Sequence, residues 1–286
     1  MQVIVNRASN GQFKRKYFVD ESYFETLGHE QAWLIGFLAA DGNVYGNYLR
    51  LSQSGKGGRR LIDVVKDMLQ YTGRIYTDKS RRAHLLVISS KVLIESLRPY
   101  GIVARKSLVY EFPKDVLPTK FHPAFIRGYV EGDGCAGIYW YGNTYALQIS
   151  FVGTEQFIDV CHEIIPVHGI RTKIERSTNC VELRFVGQKA VEFGYWIWKD
   201  KALPLTQKRA IWWDFVTRHQ PRYLAYAGVK AQVMKLLDNK VSVSEIVSVV
   251  DLPFQTLYKW KHLYESERLL SKIMLDLVDC LGREVV

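Results

Sequence analysis

The feature that most constrains this chain is a ten-residue apolar stretch that occurs twice. Residues 33–42 read WLIGFLAADG, and residues 125–134 read FIRGYVEGDG. Each stretch has the composition of a buried helix, and the Asp-Gly at its end is typical of a helix terminus. Two such helices predict an internal repeat, and a repeat restricts the chain to folds that are built from two related halves.

Further similarities follow in the same order in both halves. The tripeptide Ile-Asp-Val recurs within residues 61–69 (LIDVVKDML) and 157–165 (FIDVCHEII), each with the apolar spacing of a helix. A pair of basic residues then follows each of these segments, with Lys106 in the first copy and Lys208 in the second. The repeat therefore extends over most of the chain.

Short alternating segments between these helices predict strands. They are NYLRLSQS (47–54) and AHLLVISS (83–90) in the first copy, and YALQISFV (145–152) and CVELRFVG (180–187) in the second. Each copy then reads helix, hairpin, helix, hairpin, helix. The predicted fold class is α+β, with two pseudo-symmetric αββαββα repeats.

The alternation also predicts what each sheet presents to its surroundings. Leu49 and Leu51 alternate with Arg50 and Ser52, and in the second copy Arg171 and Lys173 alternate with Thr172 and Ile174. We expect one apolar face and one basic, polar face. The net charge of +10 and the pI near 9.3 favour a polyanionic partner for the basic face, although an ordinary half-solvated sheet shows the same alternation.

Small residues at four-residue spacing indicate how the repeated helix packs. They are Gly36 and Ala40 in the first copy, and Gly128 and Gly132 in the second. Glycine inside a helix costs ~1 kcal/mol relative to alanine, so a repeated glycine indicates that another backbone packs against it. If the two helices pack on each other, Asp41 and Asp133 at their C-terminal ends lie side by side. Two carboxylates at the negative ends of two helix dipoles suit a hard divalent cation.

These residues resemble the signature of the LAGLIDADG homing endonucleases. The nine-residue motif falls on 34–42 (LIGFLAADG) and 126–134 (IRGYVEGDG), and the repeats span roughly residues 25 to 215. The sixth motif position is Ala39 in the first copy and Glu131 in the second, and it is not the catalytic position of the family. The resemblance implies a saddle over double-stranded DNA and metal-dependent cleavage of a long asymmetric target.

The resemblance also implies an active site. The metal ligands would be Asp41 and Asp133 with their preceding residues Ala40 and Gly132, and Lys106, Lys208 and Gln53 would complete the catalytic group. The second copy offers Val152 or Gly153 at the place of Gln53. We expect Mg²⁺ as cofactor, Mn²⁺ as a substitute, and Ca²⁺ to support binding without cleavage. The expected DNA contacts are Arg50, Ser52, Arg74, Tyr76, Gln148, Arg171, Lys173 and Arg184.

The C-terminal segment changes to helical character. Residues 230–262 predict a helix-turn-helix whose recognition helix would present Gln255, Thr256 and Lys259 to DNA. Val247 and Asp251 stand where the usual pattern has a small residue and a glycine, and the alternative is three helices that pack only for stability. Residues 267–281 predict a further amphipathic helix.

The expected organisation has four parts: an N-terminal extension (1–24), the first repeat (25–120), the second repeat (121–220) and a helix-turn-helix-like domain (221–286). Because one chain holds both halves, we expect a monomer. The sequence has no apolar run of membrane-spanning length and no secretory signal, so we expect an intracellular protein, cytoplasmic rather than organellar. Its four cysteines have neither disulfide-framework nor zinc-site spacing.

Three functions are compatible with this organisation. The first is a site-specific, metal-dependent DNA endonuclease of the kind that acts in intron homing. The second is a transcription regulator that uses the same fold without cleaving DNA, but such relatives usually lose the motif aspartates, which this chain retains. The third is an intron maturase, an RNA-splicing role that nothing in the sequence excludes as an addition.

Overall fold

The computed structural model of the chain describes residues 16–78, 80, 82–141, 144–174, 179–199, 206–250 and 257. The chain divides into two compact units, Met1–Asp133 and Gly134–Val286. In its described part, no helix is long and apolar enough to cross a membrane.

The first unit contains one four-stranded sheet and four α-helices in its described part. The elements are α1 (His29–Asp41), β1 (Gly42–Tyr45), β2 (Tyr48–Ser54), α2 (Gly55–Met68), β3 (Tyr76–Asp78), β4 (Ala83–Ser89), α3 (Lys91–Leu97) and α4 (His122–Asp133). Three 3-10 turns, Arg98–Tyr100, Lys106–Leu108 and Thr119–Phe121, lie between α3 and α4. The sheet is antiparallel, with strand order β1-β2-β4-β3.

From its first strand onward, the second unit repeats the order of strands and helices of the first. It contains β5 (Cys135–Tyr141), β6 (Thr144–Gly153), α5 (Glu155–Ile164), β7 (Ile170–Lys173), β8 (Val181–Val186), α6 (Gln188–Trp198), α7 (Gln207–Asp238) and α8 (Val243–Val249). Its sheet is antiparallel with the equivalent order, β5-β6-β8-β7. With α4 as the first helix of the second copy, the prediction of two αββαββα repeats in an α+β fold is confirmed.

The helix α4 nevertheless belongs to the first compact unit, because it packs on α1. Both helices are buried on nearly all sides, and Trp33, Phe37 and Phe125 are fully buried. Two helices that are buried around most of their circumference lie inside a core, so α1 and α4 form the centre of this unit.

Glycine makes the contact between these helices possible. A Cβ atom added to Gly36 would lie 2.0 Å from the carbonyl oxygen of Phe125, and one added to Gly128 would lie 2.0 Å from the carbonyl oxygen of Trp33. Gly36 and Phe125 thus meet in the same way as Gly128 and Trp33, which is the reciprocity expected of two pseudo-symmetric helices. The predicted backbone-to-backbone packing is confirmed.

A buried ion pair lies beside this contact. Arg127 Nε donates to Glu131 Oε1 over 3.0 Å, and both side chains are almost completely excluded from solvent. Trp33 Nε1 of α1 donates to the other carboxylate oxygen of Glu131 over 2.7 Å. The acidic side chain at the sixth motif position of the second copy therefore joins α4 to α1.

The described part of the N-terminal extension, residues 16–24, packs on the first repeat. Phe18 N donates to Thr72 Oγ1 over 2.8 Å, and Thr72 N donates to Phe18 O over 3.1 Å. Val19 and Phe24 are buried. This segment therefore contributes to the core of the first unit.

The C-terminal part has its own small core. The helix α7 runs without interruption through residue 221, where the sequence predicted a domain boundary. A capping box starts α8, because Ser242 Oγ accepts from Glu245 N and Glu245 Oε2 accepts from Ser242 N. The apolar cluster consists of Val233, Met234, Val243, Ile246, Val250 and Leu257, with Val247 packed against it. Asp251 and the helix expected over residues 267–281 lie outside the described residues, and the helix-turn-helix stays a prediction.

The helix contact predicts the effect of adding one methyl group. Gly36→Ala and Gly128→Ala should each destabilise the chain by about 3 kcal/mol or more, because the new Cβ overlaps a backbone oxygen that cannot move without separating the helices. Urea unfolding measures this change. Gly46→Ala is the matched control, since nothing lies within 4 Å of its added Cβ and only its left-handed backbone, φ +56°, opposes the change. If Gly36→Ala lowers the free energy of unfolding no more than Gly46→Ala does, the result would contradict the packing.

The buried ion pair predicts a partial rescue. Glu131→Ala removes the carboxylate that Arg127 and Trp33 contact, which should cost about 3–5 kcal/mol of unfolding free energy, as breaking a buried pair usually does. The double change Arg127→Ile with Glu131→Ala installs the residues that α1 carries at the equivalent positions, Ile35 and Ala39, and should recover most of that loss. If the double variant is no more stable than Glu131→Ala, the loss of stability does not come from the unpaired charge of Arg127 alone.

Candidate active site

Asp41 and Asp133 come together because each ends one of the two packed helices. Asp41 is the last residue of α1, and Asp133 is the last residue of α4. A Cβ added to Gly132 would lie 2.5 Å from Ala40 Cβ and 3.0 Å from Asp41 Oδ2. The last turns of the helices are therefore in contact, and the negative ends of both helix dipoles lie at the same place.

Gln53 orients one of the two carboxylates. It lies near the end of β2, on the same face as the buried Leu49 and Leu51, and its Nε2 donates to Asp41 Oδ2. Alternation along the strand thus directs this polar side chain toward the helix-covered side of the sheet, where α1 ends. Gln53 therefore contacts Asp41, and its catalytic role stays a prediction.

The second copy has no side chain at the position of Gln53. Ser54 precedes α2 as its N-cap, and Thr154 precedes α5 in the same role. Counting back one residue from each cap matches Gln53 with Gly153. The alternative that the sequence left open, Val152, pairs with Glu182 of β8 and lies on the opposite face of β6. The two halves therefore differ at this position.

Lys106 is the fourth polar side chain at the helix ends. Its Nζ donates to the carbonyl oxygen of Ala40 over 3.3 Å, and only 5% of the residue is exposed. Burial lowers the pKa of the Lys106 ammonium, and the carboxylates of Asp133 and Asp41 act in the opposite direction. Arg105, immediately before it, has a left-handed backbone with φ 59°. The charge of Lys106 thus faces both aspartates.

Lys208 is carried by a different kind of element. It lies in the first turn of α7, in the second unit, where Thr206 Oγ1 caps the helix by accepting from Arg209 N over 3.3 Å. Lys106, in contrast, begins a short 3-10 turn. The catalytic role of Lys208 stays a prediction.

The chemistry of these groups fits a hard divalent cation. Asp41 and Asp133 supply carboxylate oxygens, and Ala40 supplies a carbonyl oxygen at the same helix end. Such oxygen donors are those that Mg²⁺ and Ca²⁺ prefer, whereas zinc and copper favour thiolate and imidazole. In the described part of the chain, no group of three or more histidine, cysteine or acidic side chains could hold a metal ion.

The open face of the first sheet carries several of the expected DNA contacts. Arg50 and Ser52 are exposed and lie opposite the buried face of β2, together with Tyr48. Tyr76 is 54% exposed and pairs with Leu85, the residue that also pairs with Ser52, so it shares this face. Arg74 is exposed just before β3.

The open face of the second sheet carries Gln148 and Arg184. Both are half-buried, and alternation places them opposite the buried Leu147, Leu183 and Phe185. Arg184 Nη2 pairs with Glu182 Oε2 over 2.6 Å on the same face. Their contact with DNA stays a prediction.

Arg171 and Lys173 lie on the other side of the second sheet, contrary to expectation. They pair in register with the buried Leu183 and Val181, so their side chains point to the helix-covered side. Arg171 Nη2 contacts Glu155 Oε1 and Asp159 Oδ1 of α5, each over 2.8 Å, and Lys173 Nζ contacts Glu155 over 3.2 Å. The hydrogen bonds from Arg171 and Lys173 lower the pKa of Glu155.

The reason for this difference is the position of β7. It is an edge strand with all four residues exposed, so burial does not select which face is polar. The carboxylates of α5 instead attract the basic side chains. The residues expected on a recognition helix, Gln255, Thr256 and Lys259, lie outside the described residues.

Comparison with protein-family models and with curated proteins gives no match. Among solved structures, the chain is similar to the I-LtrWI LAGLIDADG homing endonuclease bound to target DNA, with 11% identity and a TM-score of 0.49 over 87% of this chain and 99% of that one. It is also similar to the LAGLIDADG meganuclease I-AabMI bound to uncleaved DNA, with 15% identity and a TM-score of 0.48 over 68% and 91%. A third is the LAGLIDADG homing endonuclease I-GzeII in complex with its DNA target, with 14% identity and a TM-score of 0.43 over 85% and 100%.

The chain resembles the LAGLIDADG homing endonucleases both in its two sequence motifs and in the solved structures to which it is similar.

Proposed function

We propose that this chain is a site-specific endonuclease that hydrolyses both strands of a DNA duplex with a divalent cation. One observation carries the proposal: two glycine-packed helices end in Asp41 and Asp133 at one place, with Gln53 and Lys106 beside them. A carboxylate pair at two helix C-termini is unfavourable in itself. Its retention is explained if the protein uses it to hold a cation against phosphate.

Each residue of this site has a distinct task in the proposed reaction. Asp41 and Asp133 would hold Mg²⁺, together with their preceding residues Ala40 and Gly132. A bound divalent cation supplies Lewis acidity and lowers the pKa of water that it coordinates. Gln53 fixes the orientation of the Asp41 carboxylate. The carboxylates need not act as general bases, because their charge serves to hold the cation.

Lys106 supplies a positive charge in addition to that of the metal ion. Its ammonium lies at the end of α1 and faces both aspartates, so it can offset the negative charge of a phosphate brought to the same place. We assign Lys208 the corresponding role in the second half. The absence of a side chain at Gly153 makes the two halves chemically unequal, which is compatible with an asymmetric target.

The partner in this proposal is double-stranded DNA bound along the open faces of the sheets. Arg50, Ser52 and Tyr76 of the first sheet and Gln148 and Arg184 of the second lie opposite the buried residues of their sheets and present polar, basic and aromatic groups. The net charge of +10 supports attraction to a polyanion. Because both halves belong to one chain, the protein would act as a monomer on a target of ~20 bp, about two turns of duplex.

The main rival is a transcription regulator with the same fold that binds DNA without cutting it. Both motif aspartates are present, and Gln53 and Lys106 contact the end of α1, which a protein with only a binding role would not need. This observation favours the enzyme. An additional role as an intron maturase would be tested by RNA-splicing assays.

The proposal predicts that the aspartates are needed for cutting and not for binding. Asp41→Asn or Asp133→Asn should abolish double-strand cleavage, since each removes a charge that holds the cation, while duplex affinity in Ca²⁺ should fall by less than tenfold. Selection from a duplex library supplies the target, and gel assays measure cleavage and binding on it.

Asp63→Asn is the matched control for this experiment. Asp63 is a half-exposed carboxylate on α2 that pairs with Arg59 over 3.0 Å, and its loss should leave cleavage unchanged. Full cutting by Asp41→Asn or Asp133→Asn would refute the shared metal site. Loss of binding in all three variants would indicate damage to the fold instead.

The C-terminal core predicts a separable contribution to DNA binding. Deleting residues 239–286 leaves α7 whole and should shorten the footprint on one side, weaken affinity and flatten its dependence on salt, because fewer phosphates are neutralised. The position of cleavage should stay the same. Gln255→Ala should relax the preference at one flanking base pair by about 1–3 kcal/mol if it reads a base edge. A footprint of unchanged length, with lower thermal stability, would mean that the tail only supports the core.

A further inference from the structure

Lys106 occupies a place where a cation is needed even before any ligand binds. The carboxylates of Asp41 and Asp133 and the carbonyl of Ala40 lie at the C-terminal ends of two helices, where both dipoles are negative. Within the residues that the structure describes, Lys106 is the cation that faces both aspartates from a buried position, at 5% exposure. Its Nζ donates to the Ala40 oxygen over 3.3 Å.

The atom that Lys106 contacts is one that the proposed metal site also uses. Ala40 lies directly before Asp41, and its carbonyl oxygen is among the oxygen donors at this helix end. A carbonyl oxygen that binds a divalent cation at close range cannot keep a strong hydrogen bond from an ammonium on the same side, because the two positive charges repel each other. Lys106 and the divalent cation therefore compete for the same negative site.

We propose that Lys106 is the resident cation of the metal-free site: its ammonium offsets part of the negative charge of the aspartate pair and holds the Ala40 carbonyl, and it yields this place when a divalent cation binds. This inference rests on the metal site of the proposed function. Lysine suits the task, because its compact charge is on a flexible four-carbon stem that can move while the backbone stays in place.

The charges make metal binding depend on DNA. Asp41, Asp133 and Lys106 together carry a single negative charge. One divalent cation changes the sum over these groups to a single positive charge and places the cation beside the buried Lys106 ammonium, which is unfavourable in the absence of an anion. A phosphodiester group supplies the missing negative charge and a new partner for the displaced ammonium. Lys106 thereby couples metal binding to the arrival of substrate, and metal alone binds weakly.

Replacing Lys106 by an uncharged residue should strengthen metal binding in the absence of DNA and make it less dependent on DNA. In the full-length chain without DNA, Lys106→Met should bind Ca²⁺ at least tenfold more tightly than the original protein in calorimetric titrations. Addition of target duplex should strengthen Ca²⁺ binding strongly in the original protein and by at least tenfold less in Lys106→Met. Ca²⁺ is the probe because it allows binding to be measured without cleavage.

Two further variants make the titration decisive. Arg105→Asn removes a positive charge from the exposed residue next to Lys106, and asparagine accepts the left-handed backbone of that position. Because an exposed charge is screened by solvent, the Ca²⁺ affinity of this variant should differ from that of the original protein by less than threefold. Asp41→Asn should weaken Ca²⁺ binding. If Asp41→Asn weakens binding while Lys106→Met leaves it unchanged or weaker, the resident-cation role is wrong and the proposed metal site stands. If neither variant changes the affinity, the metal site itself is wrong.

Thermal unfolding provides an independent measurement. In EDTA, Lys106→Met should unfold at a lower temperature than the original chain, because the aspartate pair loses its resident cation, and Ca²⁺ should raise the unfolding temperature more in the variant than in the original chain. If Lys106→Met does not fold in either buffer, Lys106→Gln tests the same idea with an uncharged side chain that can still donate to Ala40. Equal Ca²⁺-induced shifts in the variant and in the original chain would overturn the proposal.

Discussion

The contact between the backbones of α1 and α4 is the constraint on which the rest of the structure depends. Gly36 and Gly128 each lie so close to a carbonyl oxygen of the opposite helix that a Cβ atom at either position would overlap it. This close approach brings the last turns together and thereby places Asp41 beside Gly132 and Asp133. The sheets follow directly, since β1 begins at the residue after Asp41 and β5 begins two residues after Asp133. One packing contact thus fixes the carboxylate pair.

The two repeats have the same order of elements but are not chemically equivalent. The buried Arg127–Glu131 pair of α4 has Ile35 and Ala39 as its counterparts in α1, and Trp33 donates to Glu131 across the helix contact. Gln53 contacts Asp41, whereas the second copy has Gly153 in its place. Glu131 gives Trp33 an acceptor that α1, with Ala39 at the equivalent position, lacks, so these differences favour pairing of α1 with α4. They also give the two halves of the proposed site different chemistry.

The sequence was sufficient for those features that depend on local pattern. The element order follows from alternation and helical spacing, and the helix contact follows from paired glycines, because few other causes explain glycine inside a buried helix. The faces of edge strands were not predictable: Arg171 and Lys173 turn toward α5 because Glu155 and Asp159 lie there, and tertiary contacts alone reveal this. The contact of Lys106 with Ala40 depends likewise on distant segments of the chain. Matching the N-caps Ser54 and Thr154 would have identified Gly153 from the sequence.

Sequencing of cut ends tests the central claim, a cation-dependent nuclease site at Asp41 and Asp133, most directly. The full-length chain is incubated with a randomised duplex library in Mg²⁺ or in Ca²⁺, and the ends produced are sequenced on both strands. The account predicts paired cuts on the two strands within one long asymmetric sequence in Mg²⁺, and intact duplex in Ca²⁺. A library that is enriched for a bound sequence but remains uncut in Mg²⁺ would contradict the account and identify the chain as a DNA-binding protein without nuclease activity.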